Sequence, residues 1–361
     1  MSCRKVITQV LDASSSGTHQ WQSIIKKLPV LMRDSYFYPD WVLLHRFNSD
    51  TRALMFTCEK QGKIWAYPFL LVSINYVGEK KLEQTWYDIE TSYGYGGPLC
   101  NTADTQFFIE AYTLFTEWCN TNKVVAEFVR FHPLIQNINW LDSDTEIIWD
   151  RDTVSLDFRH INTAVLPFDT KTRNMLKRAD KLNVNIRQTL EYDDYIRFVE
   201  MYKSSMDRVQ AEKYLYFSDK YFDKLFDFVR KSGCLLFAKH NEQYVSGAVF
   251  VYGSTWMHYH LAASDPDRMI SGANNQLLME AAKIGQQLGL KGLHLGGGRT
   301  NDPNDSLLKF KRSMSTDRHK YFIGRRIHRP DVYKYLTNLW REQYPALVHK
   351  YGKRLLCYHY N

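Results

Sequence analysis

The sequence predicts an α/β chain made of two successive units, each with helices packed on a sheet. Three observations carry this. Its 361 residues suffice for two ordinary domains that each bury a core. The second half alternates strand and helix periods in a definite order over 183–327. The first half repeats part of that order with little sequence identity, as a duplicated unit that has diverged would.

In the second half, residues 183–190 (NVNIRQTL) alternate as a strand. Helical periods follow over 193–206 and 219–231, the latter stopping at Gly233. Three strands come next at hairpin spacing: 234–240, a turn at Asn241-Glu242, 244–252, a turn at Gly253-Ser254, then 255–263. An amphipathic helix over 274–288 puts Leu277, Leu278, Ala281, Ile284 and Leu288 on one face and ends at Gly289. A strand at 292–296 runs into a triple glycine, and a short helix near 305–313 with a last strand or hairpin around 320–327 completes the half. In the first half, 52–59 and 63–74 form a hairpin about Gly62, 86–90 is a further strand, 105–120 a helix and 124–132 a strand. Residues 330–360 read as helical and are expected to pack back on the first half. No low-complexity linker separates the halves, and the least regular stretch is 138–152. The expected division is 1–157, 158–329 and a C-terminal segment 330–361.

Composition is globular, with 44% hydrophobic and 15% aromatic residues. No run approaches the roughly 18 apolar residues that cross a membrane; the most apolar, 67–77, contains Pro68, Ser73 and Asn75. Arg4 and Lys5 are followed by no long apolar region, so neither a secretory signal nor an anchor is indicated and a cytoplasmic location is expected. The six cysteines lie far apart without a CxxC pair, which reads as reduced, buried thiols; a nucleophilic role needs a base beside one of them in space. The net charge of +8 gathers in the second half: 171–187 carries a local +5 and 309–329 a local +7. Such a half is suited to an anionic ligand, the plain alternative being a solvated helix face and a basic hairpin.

Strand, two helices, three-strand meander, helix, strand, helix, strand is the element order of the GNAT acyltransferases. The texts SYGYGGPL (92–99), FVRFHPLIQN (128–137), MDRVQAEKYLYF (206–217), HYHLAAS (258–264) and HLGGG followed by DSLLKFKRSMS (305–315) resemble the FemAB-like branch of that superfamily over nearly the whole chain. The resemblance implies an α/β fold of the α+β mixed-sheet kind: two tandem GNAT-like domains, no coiled-coil arm, the first degenerate and on the acceptor side. The sheet of that fold splays between the last meander strand and the strand after the long helix, and the splay admits the donor arm.

Phe310-Lys311 matches the family's FK motif. In acyl transfer an amine attacks a carbonyl and negative charge appears on its oxygen, so a fixed ammonium there lowers the barrier. Lys311 is the candidate for that role, with Phe310 and Lys309 on the acceptor; the plain reading is one more lysine on a basic helix. Gly296, Gly297 and Gly298 allow close approach of backbone to a ligand or form a simple loop. Asp305 is suited to accept an amine proton or, more simply, to cap the helix. His258 and His260 share a face of a predicted strand with Tyr259 opposite. No third ligand lies near in sequence, so no metal is expected, and His260 is read as a site-lining group or proton acceptor. By carry-over, Arg208, Tyr214, Tyr216 and Tyr259 border the acceptor, as do Tyr95, Gly96, Arg130 and His132; for Tyr214 and Tyr216 the alternative is an aromatic packing cluster, and for His132 a structural role. Where coenzyme A-dependent relatives carry [RQ]xxGx[GA] at the start of the long helix, this chain has Arg268-Met269-Ile270-Ser271-Gly272-Ala273, followed by Asn274. Arg268 and Ala273 agree with the pattern; Ser271 stands in place of its first glycine.

The expected function is transfer of an aminoacyl or acetyl group to a primary amine on a peptidoglycan or surface-polysaccharide precursor, nucleotide-linked or lipid-linked, with peripheral membrane contact where the acceptor is lipid-linked. No cofactor is expected to be tightly bound. The donor is acetyl-CoA or another acyl-CoA, or aminoacyl-tRNA. The basic clusters and the altered loop suit tRNA; the sheet and the lack of a helical arm suit acyl-CoA. A non-catalytic nucleotide- or RNA-binding module on the same fold is the alternative.

Overall fold

The computed structural model describes residues 6–14, 16–46, 50–140, 143–161 and 168–361. The chain forms two compact units, one of residues 1–32, 36–150 and 321–361, the other of 33–35 and 151–320.

In the second unit, the strands run in the order 151–157 (the end of Glu146–Asp157), Gly292–Gly297, Trp256–Ser264, Gln243–Tyr252, Gly233–His240, Asn185–Thr189. All neighbours are antiparallel except Trp256–Ser264 with Gly292–Gly297, which is parallel. Local chemistry sets the elements. Asn241 and Glu242 both take positive φ (47° and 62°), as a two-residue hairpin turn of matching twist requires. The Ser218 hydroxyl caps helix Asp219–Ser232 at the Tyr221 amide (3.2 Å), and Tyr221, Phe222, Leu225, Phe226 and Val229 then recur on its buried face. On the sheet's other side Leu277, Leu278, Ala281 and Ala282 of helix Ala273–Gln287 enter a core with Leu236, Phe250, Met257, Leu293 and Leu295.

The first unit has the same topology: Ile7–Asp12, Arg52–Lys60, Lys63–Val77, Lys80–Glu90, Val124–Arg130 and 321–327 (the end of Asp317–Ile327), again with one parallel junction, Lys80–Glu90 on Val124–Arg130. Helix Thr105–Thr121, capped by Asp104 at the Phe107 amide, packs Phe107, Tyr112 and Phe115 onto Trp65, Tyr67 and Phe69. Helix Pro330–Gln343 and the following turns place Leu336, Leu339, Trp340, Cys357 and Tyr358 on Ile74, Val77, Leu82 and Val125.

Six elements differ from the order read in the sequence. Strand Ile7–Asp12 and helices Gly17–Lys27 and Pro39–Leu44 complete the first unit's order where no element was expected. The stretch 138–152, read as irregular, contributes to the 12-residue strand Glu146–Asp157; half its length is charged or partly exposed, which hides its period. The basic stretch from 171 lies on helix Thr170–Lys181, absent from the expected element order but the solvated helix face of the plain reading: it buries Thr172 and Ala179 and exposes Lys171, Lys177, Arg178 and Lys181. Finally, Ile323–Ile327 pairs with Ala126–Arg130 of the first unit instead of completing the second.

Among the described residues no helix exceeds 17 residues and none is long and apolar enough to cross a membrane. Cys58, Cys100, Cys119, Cys234 and Cys357 are free and buried, and burial raises each thiol's pKa, that of Cys58 and Cys234 to about 12. Cys3 lies outside the described residues.

Candidate active site in the second unit

The site begins where the parallel pair parts. Trp256, Met257 and His258 pair with Gly292, Leu293 and His294, and there the pairing stops, although the strands continue to Ser264 and Gly297. On its opposite side Gly292–Gly297 stays paired along its whole length, with Thr153–Asp157, so only the edge facing the parted strand is released. On the other strand the register jumps so that His260 is an extra residue, with Leu261 opposite Val249 and Tyr259 opposite Phe250. This bulge corrects the expectation of a plain shared face for His258 and His260. They take different partners: buried His258 bonds Asp34 through Nε2 (2.8 Å), and half-buried His260 meets the Tyr221 hydroxyl through Nε2 (2.7 Å).

Helix Ser306–Met314 supplies the lysine. Asp305 caps it, accepting from the Leu308 amide (2.9 Å) and, through its other oxygen, from the Arg299 amide (3.1 Å). Burial opposes ionisation of Asp305, yet these amides with those of Thr300 and Leu307 outweigh it and lower its pKa. With both oxygens accepting from the backbone, Asp305 is fitted for capping and holding the loop, not for taking a proton. Leu308 and Met314 bury in the core, and Lys311, one turn from Leu308, is carried inward with them.

Lys311 is 7% exposed. Its Nζ donates to the Gly297 carbonyl at 2.7 Å and stands 6.0 Å from the centre of the Tyr259 ring, which stacks on Phe250. Burial brings its pKa from 10.5 to about 7; Asp305 pulls it back up and Arg151 pushes it further down. At neutral pH the amine is therefore divided between its two forms, a property of functional lysines. Phe310 packs half-buried on the core, while Lys309 is exposed.

Sequence reasoning therefore brings together Lys311, Gly296, Gly297, Gly298, Asp305, Phe310 and Tyr259 at the parted strands. It missed Arg151, whose Nη1 donates to the carbonyls of Gly298 and Arg299, both at 2.8 Å, and Asp152, which pairs with Arg312 at 3.2 Å. Their signal was lost in the charged stretch 138–152. Tyr221 was also missed: the period places it on the buried face of its helix, but its meeting with His260, 39 residues on, is tertiary.

The other candidates fall elsewhere. Arg208 ends helix Tyr192–Arg208 and is exposed, as are Tyr214 and Tyr216; the packing aromatic of that segment is Phe217, stacked on Tyr221 at 4.0 Å. Arg268 pairs with Asp265 (3.3 Å) and lines a cavity of about 380 Å³ with Arg187, Arg197, Lys239 and Glu242. Ser271 is exposed and Asn274 partly so. Gly272 has φ +89°, and a Cβ there would stand 2.2 Å from the Met175 carbonyl of helix Thr170–Lys181. Its missing side chain thus serves helix packing. The Ala273 amide bonds Ile270, so it is already engaged.

In the first unit the corresponding gap is stitched shut. Beyond Glu90 the Thr91 amide bonds the Phe128 carbonyl (3.1 Å) and the Gly96 amide the Arg130 carbonyl (2.7 Å). Arg130 returns a guanidinium bond to the Thr91 carbonyl (2.8 Å), and Asn137 donates to Gly96 and Pro98 while accepting from the His132 amide. Tyr95 sits edge-on to Tyr36 and Tyr321 and 5.6 Å from the His132 ring. Gly96, Arg130 and His132 thus hold this closure together.

No protein-family model and no curated protein matches the sequence. Solved structures match in fold. FemX superposes with a TM-score of 0.63 at 13% identity over 94% of this chain and 99% of its own. L-PGS from Bacillus licheniformis does so at 0.55 and 10% identity, over 85% and 91% of the two chains. The C-terminal domain of a protein described as a lysylphosphatidylglycerol synthetase from Agrobacterium fabrum gives 0.54 and 11%, over 84% and 92%. At such identities the likeness is one of fold: the chain shares the two-unit mixed α/β fold of these structures.

Proposed function

We propose that the chain is an N-acyltransferase that moves an aminoacyl or acetyl group to a primary amine on a nucleotide-linked or lipid-linked sugar or peptide precursor of the cell surface, working in the cytoplasm. The observation that carries this reading is Lys311, buried at the parted strands with its Nζ on the Gly297 carbonyl. The acceptor amine attacks the donor's carbonyl carbon; the C–N bond forms, the carbonyl oxygen gains charge that the Lys311 ammonium stabilises, and the ester or thioester bond breaks with its electron pair leaving on the donor. His260, oriented by Tyr221, takes the proton shed by the amine.

The state of the helix-opening loop favours an aminoacyl ester donor such as aminoacyl-tRNA over an acyl-CoA. Gly272 is occupied by Met175 and the Ala273 amide by Ile270, which leaves this loop poorly suited to grip a pyrophosphate. The exposed lysines and Arg178 of helix Thr170–Lys181 suit a polyphosphate chain. The fold likeness to FemX and to a lysylphosphatidylglycerol synthetase domain agrees with aminoacyl transfer.

The test pairs charged tRNA and acetyl-CoA in turn with UDP-linked amino sugars and peptide precursors, with product mass as the readout, in the native protein and in Lys311→Met. Acyl transfer that falls about 100-fold or more in the variant is expected. Undiminished turnover in Lys311→Met defeats the mechanism, and binding of tRNA without any transfer in either protein supports the non-catalytic module.

A further inference from the structure

Three consecutive carbonyls follow the parted strand, and each has a cationic donor. Gly297 accepts from Lys311, while Gly298 and Arg299 accept from the one Nη1 of Arg151. The glycines make this strap possible. A Cβ on Gly297 would lie 2.9 Å from Arg151 Cδ and from the Asp152 carbonyl; one on Gly298 would lie 2.6 Å from Asp305 Oδ1. The strap is thus gripped on one side by strand Glu146–Asp157 and on the other by the cap of the lysine's own helix. The same strand also fixes that helix through Asp152 and Arg312 (3.2 Å).

We infer that Arg151 is a positioning residue for Lys311: by holding the Gly298 and Arg299 carbonyls it keeps the Gly297 carbonyl where the Lys311 amine meets it. Two roles follow from one side chain. The guanidinium fixes the strap's geometry, since its two Nη1 hydrogens are directed in plane at two acceptors. Its charge, held near the buried amine, adds to burial in favouring the neutral form of Lys311, against the pull of Asp305. An arginine that only stabilised the fold would do neither. The inference rests on the proposed role of Lys311, but its test does not require acyl transfer to be seen.

The experiment follows the protonation of Lys311 in the full chain without donor or acceptor. Trace acetylation with acetic anhydride is carried out from pH 5.5 to 10, and the extent of labelling at Lys311 is read by peptide mass spectrometry. In the native protein the labelling midpoint is expected at about 7. Arg151→Met is expected to move it up by about 1 unit, so that labelling at pH 7 falls about 5-fold. Arg151→Lys keeps the charge and is expected to restore the midpoint toward the native value. A folded Arg151→Met with an unmoved midpoint overturns the inference, as does an Arg151→Lys that titrates like Arg151→Met. If Arg151→Met does not fold, Arg151→Gln, which keeps an amide donor without charge, is read in the same way. Where transfer is observed, Arg151→Met is expected to lower kcat by about 10–100-fold with little change in KM; loss confined to KM counts against positioning. A shifted midpoint with no transfer by any donor upholds the Arg151–Lys311 link and defeats the acyltransferase reading alone.

Discussion

Lys311 couples stability and pH in a way its surface neighbours do not. Its pKa is depressed from 10.5 to about 7, first by burial, so between those values the unfolded chain binds the extra proton and the folded one does not. Stability from this group is therefore gained as pH rises from about 7 to 10.5, and below 7 the buried charge is carried at full cost. Replacing it with methionine, of similar length and no charge, is expected to raise Tm most below pH 7 and to remove the gain above it; a melting series across pH 6–10 checks this. Activity is expected to move oppositely. If the ammonium is the working form, kcat falls as pH rises through about 7, whereas Lys311→Arg, charged throughout, keeps a reduced rate without that falling limb. A rate that instead rises through pH 7 in the native enzyme and is lost in Lys311→Arg assigns the neutral amine as a base.

At the scale of elements, the C-terminal helix and turns are fastened to the first unit's sheet by buried polar pairs as well as by apolar area. Asp88, wholly buried, accepts from the Ala126 amide (3.0 Å), the Tyr358 hydroxyl (3.0 Å) and His359 Nε2 (2.8 Å). Burial pulls the His359 pKa down, but the Asp88 bond and charge outweigh it and raise the pKa. The pair's contribution is thus complete below the ordinary histidine value of 6.5 and is lost as pH rises through the raised one. Asp88→Ala is expected to cost about 3–5 kcal/mol, more at pH 6 than at pH 9, with faster amide exchange first in 330–360. What was legible in the sequence follows from the same physics. Helix Asp219–Ser232 and the meander strands carry clean periods because one face of each is buried and the other is wet. Lys311 was legible through a motif; its burial, which follows from Leu308 three residues before it, was not read. Helix Gly17–Lys27 buries Trp21, Ile24 and Ile25 at readable spacing, followed by Leu28, yet its low mean hydropathy concealed it. Strand Ile7–Asp12 turns Ile7 (61% exposed) and Val10 (39%) outward, so its pattern points the wrong way. Arg151 was illegible because its partners are backbone carbonyls 147 and 148 residues away, which leave no trace in side-chain pattern.

At the scale of the whole molecule, the two units are of equivalent topology but each is closed by a strand from outside its own run of sequence. Strand Gly292–Gly297 of the second unit pairs with Thr153–Asp157, which follow the first unit's elements in the chain; strand Val124–Arg130 of the first pairs with Ile323–Ile327, which follow the second's. The first unit also needs Leu336, Leu339, Trp340 and Tyr358 to cover Ile74, Val77 and Val125. A boundary drawn where the first run of elements ends therefore severs cores instead of separating them. Residues 158–329 made alone lack Val154 and Leu156, both fully buried in the second unit's core, and leave the edge of Gly292–Gly297 without its partner beside the lysine. Residues 1–157 alone lack both a strand and the C-terminal cover. Neither fragment is expected to show a cooperative thermal transition or dispersed amide resonances, and a chain ending at 320 is expected to lose the first unit's transition. A well-dispersed spectrum from 158–329 by itself overturns this account of strand exchange. Refolding the two fragments 1–157 and 158–361 together is expected to restore the native melt, because the second piece returns Ile323–Ile327 and the C-terminal cover while the first returns Arg151, Val154 and Leu156.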